Sequence, residues 1–92
     1  WEVIAAPGHT EESVVFYNEA SGELIAGDLI LGRKDGRGYL NRFCWDEEQT
    51  RRTFAALAQS LRVRIIFPGH GPVIWSDENA FRKVDFFGDA LS

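Results

Sequence analysis

At 92 residues, 45% apolar and 26% charged, the chain has room for one soluble domain and no more. A net charge of −4 speaks against the basic stripe that a nucleic-acid or anionic-membrane partner demands, and no apolar run reaches the ~18–20 residues of a membrane span. Cys44 stands alone, which rules out an intrachain disulfide and a cysteine-based zinc site.

Residues 2–6 read as a short strand stopped by Pro7-Gly8, and residues 13–17 as a second, rich in β-branched and aromatic side chains. A polar turn over 18–22 leads to a third strand over 23–27, and so short a link implies an antiparallel pair. Residues 32–38 hold three glycines and alternating charges, and read as a solvated loop. Cys44 is expected as a small hydrophobe in an apolar cluster with Phe43 and Trp45. The clearest element follows. Asp46 with Gln49 three places on is a capping-box pattern, and Phe54, Leu57, Ala58 and Leu61 fall on one helical stripe. A fourth strand is expected over 64–67, with an extension over 72–75. A last helix is expected over about 78–90, capped by Ser76 or Asp77, with Phe81, Val84 and Phe87 or Gly88 on one face. The class is mixed α/β.

Two histidines share one setting. His9 follows Pro7-Gly8 and His70 follows Pro68-Gly69, each directly after an expected strand. A Pro-Gly turn stops the strand and lets the next side chain project from the end of the sheet. Asp28 arrives similarly, after Leu24-Ile-Ala-Gly27, in a run where a carboxylate is costly to bury unless paired or bound to a cation. Taken singly, each has a plainer reading: a surface or capping histidine, a turn-forming aspartate. Together they are the ligand set preferred by zinc and iron.

These segments carry a resemblance. Pro7-Gly8-His9-Thr10, then residues 13–17, then Ser21-Gly22 through Gly27-Asp28, resemble the third and fourth motifs of the metallo-β-lactamase superfamily, and Phe67-Pro68-Gly69-His70-Gly71-Pro72 resembles its fifth. The resemblance covers nearly the whole chain and implies the following. Residues 1–92 form the C-terminal half-domain of the αβ/βα four-layer sandwich, α+β in class, with one mostly antiparallel sheet and two helices. His9 completes one metal site, Asp28 bridges two metals and His70 completes the other. The ions are zinc, with iron or manganese in some members, and they activate water against an ester, thioester, amide or phosphodiester in a small-molecule substrate.

The family's H-x-H-x-D-H segment is absent, because no third histidine exists. Two ligands per ion hold metal loosely, so the chain alone is expected to be a poor hydrolase. Without the other half, one apolar sheet face lacks a cover, and association with that half or with a second copy is expected. The alternative is a catalytically inactive half-fold that dimerises through this face, or a dimer that builds a metal site across it. The start at Trp1 and the lack of methionine point to a processed or trimmed piece of a longer protein. No signal peptide is visible, and a cytoplasmic location is expected ahead of secretion. The loop at Arg33-Lys34 reads as solvated rather than substrate-binding, the aromatics of 41–45 as core or pocket wall, and Thr10, Glu11 and Glu12 as candidate hydrogen-bond partners for His9.

Overall fold

The computed structural model describes residues 1–86, as an α+β fold with one α-helix among the described residues. Strands β1 (Glu2–Ala5), β2 (Val14–Asn18) and β3 (Glu23–Gly27) form an antiparallel meander. Strand β4 (Ile30–Gly32) and β5 (Gly38–Leu40) follow, then α1 (Glu47–Ser60), β6 (Ile65–Pro68) and β7 (Ile74–Trp75). A 3-10 turn at Ala80–Lys83 leads into β8 (Val84–Asp85). The expected single sheet is two sheets. The larger has the order β1-β2-β3-β6-β7, with β6 parallel to β3, and the smaller has the order β4-β5-β8.

Alternation along the strands sorts the side chains. Val15, Tyr17, Leu24, Ala26 and Ile66 point to one face and are buried, and Phe54 and Leu57 of α1 join the same core. The Tyr17 hydroxyl donates to the Arg62 carbonyl at 2.9 Å, which lets a phenol sit in an apolar layer. The opposite face is also apolar. Val3, Phe16 and Ile25 stand side by side in register with Phe67, and the first three are 61%, 39% and 40% exposed. Strands apolar on both faces belong between two layers, and only one layer is present among the described residues.

The expected helix at Asp46 is borne out. Asp46 Oδ1 accepts from Gln49 N at 3.1 Å. The reciprocal half of the capping box is not made, because Asp46 N already donates to the Gly8 carbonyl, and the Gln49 amide turns to Thr53 Oγ1 instead. Asp46→Ala is expected to lower stability by about 1 kcal/mol, read from a denaturant midpoint, while Glu47→Ala next to it changes little.

Of the C-terminal helix expected over 78–90, the described residues 78–86 form no α-helix. Its face at Phe87 or Gly88 lies outside the described residues. Asn79, rather than Ser76 or Asp77, caps the 3-10 turn by accepting from Phe81 N, and the chain then leaves helical geometry. Two interactions draw it away. Val84 and Asp85 pair in parallel with Gly38 and Tyr39, and Asp85 takes Arg37 at 2.6 Å and Arg33 at 3.3 Å. Phe81 still packs edge-on against Phe54, so its apolar role survives the change of element. Those arginines also define the 32–38 segment. Residues 33–37 are the tight turn of a hairpin whose ends are β4 and β5, with Arg33 N donating to Arg37 O.

The Arg37 guanidinium, hydrogen-bonded to Asp85, holds that carboxyl below its ordinary value of 3.8; burial opposes the shift, and the charges of Arg37 and Arg33 support it. A carboxyl lowered on folding stabilises the protein above its unfolded pKa, and that contribution disappears as pH falls through the lowered folded value. Acid unfolding below about pH 4 should therefore include release of β8. Asp85→Asn should flatten that limb of a stability-against-pH curve; an unchanged limb would contradict the assignment.

Candidate metal centre

Strands β1, β3 and β6 run in the same direction, since β1 and β3 are each antiparallel to β2 and β6 is parallel to β3. Their C-terminal ends therefore share one edge of the sheet. Asp28 is the first residue after β3, His70 the second after β6, and His9 the fourth after β1. His9 must reach across β2, two strand spacings or about 10 Å, and the turn at 6–10 covers that distance.

The His9 turn is pinned by the start of α1. Gly8 has φ +151°, and a Cβ there would overlap Thr50 Oγ1 and come within 2.7 Å of its Cα. Thr53 Oγ1 donates to Pro7 O at 2.6 Å, Trp45 N to His9 O at 2.9 Å and Asp46 N to Gly8 O at 3.1 Å. The His70 turn is pinned differently, with Gly32 N donating to His70 O at 2.7 Å. Gly69 lies against the other end of the site. A Cβ on it would overlap Asp28 Oδ1 and meet the Gly27 carbonyl at 2.8 Å.

The three sequence-predicted residues come together. His9 Nε2 lies 3.6 Å from Asp28 Oδ2, and His70 Nε2 lies 3.7 Å from Asp28 Oδ1. Each imidazole thus faces its own oxygen of one shared carboxylate. Both separations exceed hydrogen-bonding distance. His9 Nδ1 is 2.7 Å from the Phe43 carbonyl, which only accepts, so Nδ1 carries a proton. In the neutral ring Nε2 then presents a lone pair toward a carboxylate oxygen. Two acceptors facing one another are an arrangement that a cation between them would satisfy. Two donors each about 2.0–2.1 Å from a tetrahedral zinc lie roughly 3.4 Å apart, close to both separations. The donor set therefore fits such an ion. It does so as two pairs about one carboxylate, since no group of three or more His, Cys, Asp or Glu among the described residues encloses a metal by itself.

Other expectations fare differently. Thr10 bonds Ser13 and the Glu12 backbone, and no described hydrogen bond joins Thr10, Glu11 or Glu12 to His9. The partner is the Phe43 main chain, which no residue type announces. Phe43 and Trp45 are exposed rather than core, and of that trio Cys44 alone packs against the core. Trp45 instead borders an open groove of about 500 Å3 beside His9, Thr10, Glu11 and Glu12. A groove of similar size lies at the opposite edge of the sheet, among Glu19–Gly22, Arg62, Arg64, Asp77 and Glu78, and holds no imidazole. Arg33 and Arg37 are engaged by Asp35 and Asp85, in keeping with a structural turn.

Comparison with known proteins bears on the family of the chain. The chain is 32% identical over 89 residues to the Bacillus subtilis (strain 168) protein named "Probable metallo-hydrolase YqjP", a match that covers 90% of this chain and 28% of that protein. The chain thus spans little more than a quarter of the relative's length. The family model of the metallo-beta-lactamase superfamily matches residues 1–70, a span that begins at β1 and ends on His70. With three donors held at one sheet edge and a family match running through all of them, the chain belongs to the metallo-β-lactamase superfamily.

Proposed function

We propose that this chain supplies one half of the dinuclear metal centre of a hydrolase, acting on an ester, thioester, amide or phosphodiester of a small-molecule substrate. The observation that carries the reading is the pair of Nε2–carboxylate contacts at 3.6 and 3.7 Å on the two oxygens of Asp28. His9 would hold one ion through Nε2 while its Nδ1 proton stays on Phe43 O. His70 would hold the other, and Asp28 would be shared. Zinc suits two imidazoles and a carboxylate best, with iron or manganese as the other candidates. When bound, such ions supply Lewis acidity, acidifying water and polarising a carbonyl or phosphoryl group. The chain's own residues set the spacing of the two sites and keep both imidazoles facing a single carboxylate.

Two donors per ion leave each site short of the three protein ligands usual for catalytic zinc. The remaining donors would come from a second layer of the αβ/βα sandwich, packed on the row of Val3, Phe16 and Ile25. That layer would be the other half-domain or a second copy of this chain. The same row would also suit an inactive half-fold that dimerises, but such a module has no need of two imidazoles aimed at one carboxylate. The test is reconstitution. The chain is combined with a superfamily half-domain carrying H-x-H-x-D-H and assayed against ester, thioester, amide and phosphodiester substrates. Metal-dependent hydrolysis that stops on chelation is expected. A stable, zinc-loaded complex inert toward all four substrate classes would refute the proposal.

A further inference from the structure

We infer that Asn41 is a positioning residue for the candidate metal centre, fixing the turn at Phe43, whose carbonyl keeps the Nδ1 proton on His9. The inference rests on the metal-site reading above and extends it to a residue with no ligand role of its own. Asn41 is 7% exposed, one of few buried polar side chains among the described residues. A carboxamide is not buried without partners, so its bonds show what it is for. Its backbone N donates to Leu29 O at 3.1 Å, next in the chain to Asp28. Its Oδ1 accepts from Phe43 N at 3.0 Å, which folds residues 41–43 into a tight turn. The Phe43 carbonyl, on the following peptide group, then accepts from His9 Nδ1 at 2.7 Å.

The chain of contacts runs from the residue beside Asp28, through Asn41 and the backbone of Phe43, to the His9 ring. It joins two of the three donors without passing through the ion. Asn41 Nδ2 also lies 3.5 Å from His9 Nδ1, but the shorter contact decides where the ring proton sits, because a carbonyl cannot donate. Phe43 is 86% exposed, so packing of its side chain does not hold this peptide in place. The Asn41 carboxamide anchors its N–H side, and Cys44 N, donating to Arg42 O at 3.0 Å, anchors its carbonyl side.

Imidazole ligands usually need such an outer partner, and losing it typically weakens metal binding about 10–100-fold. The experiment compares the native chain with Asn41→Leu, which removes the acceptor, and Asn41→Asp, which keeps it. A long-range 1H–15N spectrum without metal reads which His9 nitrogen bears the proton. Native and Asn41→Asp chains should carry it on Nδ1. Asn41→Leu should show a mixture at His9, an unchanged His70 ring and zinc affinity lower by about 10–100-fold. An Asn41→Leu chain with native His9 protonation and zinc affinity overturns the inference. If Asn41→Leu fails to fold, the native spectrum decides: a proton on His9 Nε2, or a Phe43 amide exchanging as fast as an open loop, is equally fatal, whereas an Nδ1 proton with a protected Phe43 amide bears it out. Failure of zinc to bind the native chain would count against the metal-site reading, whereas the metal-free spectrum judges Asn41 separately.

Discussion

Asp28→Asn is expected to remove measurable zinc binding while leaving the fold intact. Among the described residues the Asp28 carboxylate is the only donor that both imidazoles face, so its loss affects two proposed ion sites with one substitution. Outer partners of metal ligands are worth about 10–100-fold in affinity, and a shared ligand should exceed the top of that range. Stability should respond in the opposite sense. Without metal, the Asp28 charge sits 3.6 Å from a His9 lone pair, and a neutral amide relieves that opposition. The side chain is 43% exposed, so the change should stay within about 0.5 kcal/mol. Calorimetric zinc titration and a denaturant curve on the same variant test both halves. Loss of the fold together with zinc binding would mean that Asp28 is a structural residue instead.

Gly69→Ala is expected to damage site and stability together, which separates it from Asp28→Asn. The added methyl would overlap Asp28 Oδ1 and press on the Gly27 carbonyl. The Asp28 side chain can swing aside, but Gly27 belongs to β3 and pairs with Pro68, so the backbone cannot. Overpacking of this kind costs about 1–3 kcal/mol. The displaced carboxylate no longer meets His70, and zinc affinity should fall at least about tenfold. In an Asp28→Asn background the stability cost should remain and the effect on zinc should vanish, since contacting residues couple only through what they share. Equal zinc affinity in Gly69→Ala and the native chain would show that Asp28 is not held where the structure has it.

How much of this was legible beforehand follows from which atoms carry each feature. His9, Asp28 and His70 could be read because Pro-Gly and Gly-Asp punctuation marks strand ends, and like-directed strands gather their ends at one edge. The helix from Glu47 could be read because its stripe and its cap lie within one segment. The hairpin of β4 and β5 could not, since two three-residue strands around a glycine-rich turn offer no periodicity. The C-terminal segment misled because Phe81 and Val84 sit at helical spacing, while pairing with β5 and the two arginines on Asp85 are long-range effects. The Phe43 carbonyl is main chain, so residue type says nothing of it. Its nearest sequence signal is Asn41, a polar residue at what proves to be a buried position.

The uncovered sheet face follows the same logic. Val14, Val15, Phe16 and Tyr17 are consecutive and apolar, so β2 has no polar side to turn to water. Its buried half joins the core cluster that Phe54 and Leu57 of α1 complete, and its exposed half is what the proposed second layer would cover.

As proposed, His9, Asp28 and His70 would hold ions as two donor pairs around one carboxylate. Crystals of the zinc-saturated chain, measured at the zinc absorption edge, test it most directly. Anomalous peaks are expected between His9 Nε2 and Asp28 Oδ2 and between His70 Nε2 and Asp28 Oδ1. Zinc found elsewhere on the molecule, or the two imidazoles turned away from Asp28 at saturating zinc, would contradict it.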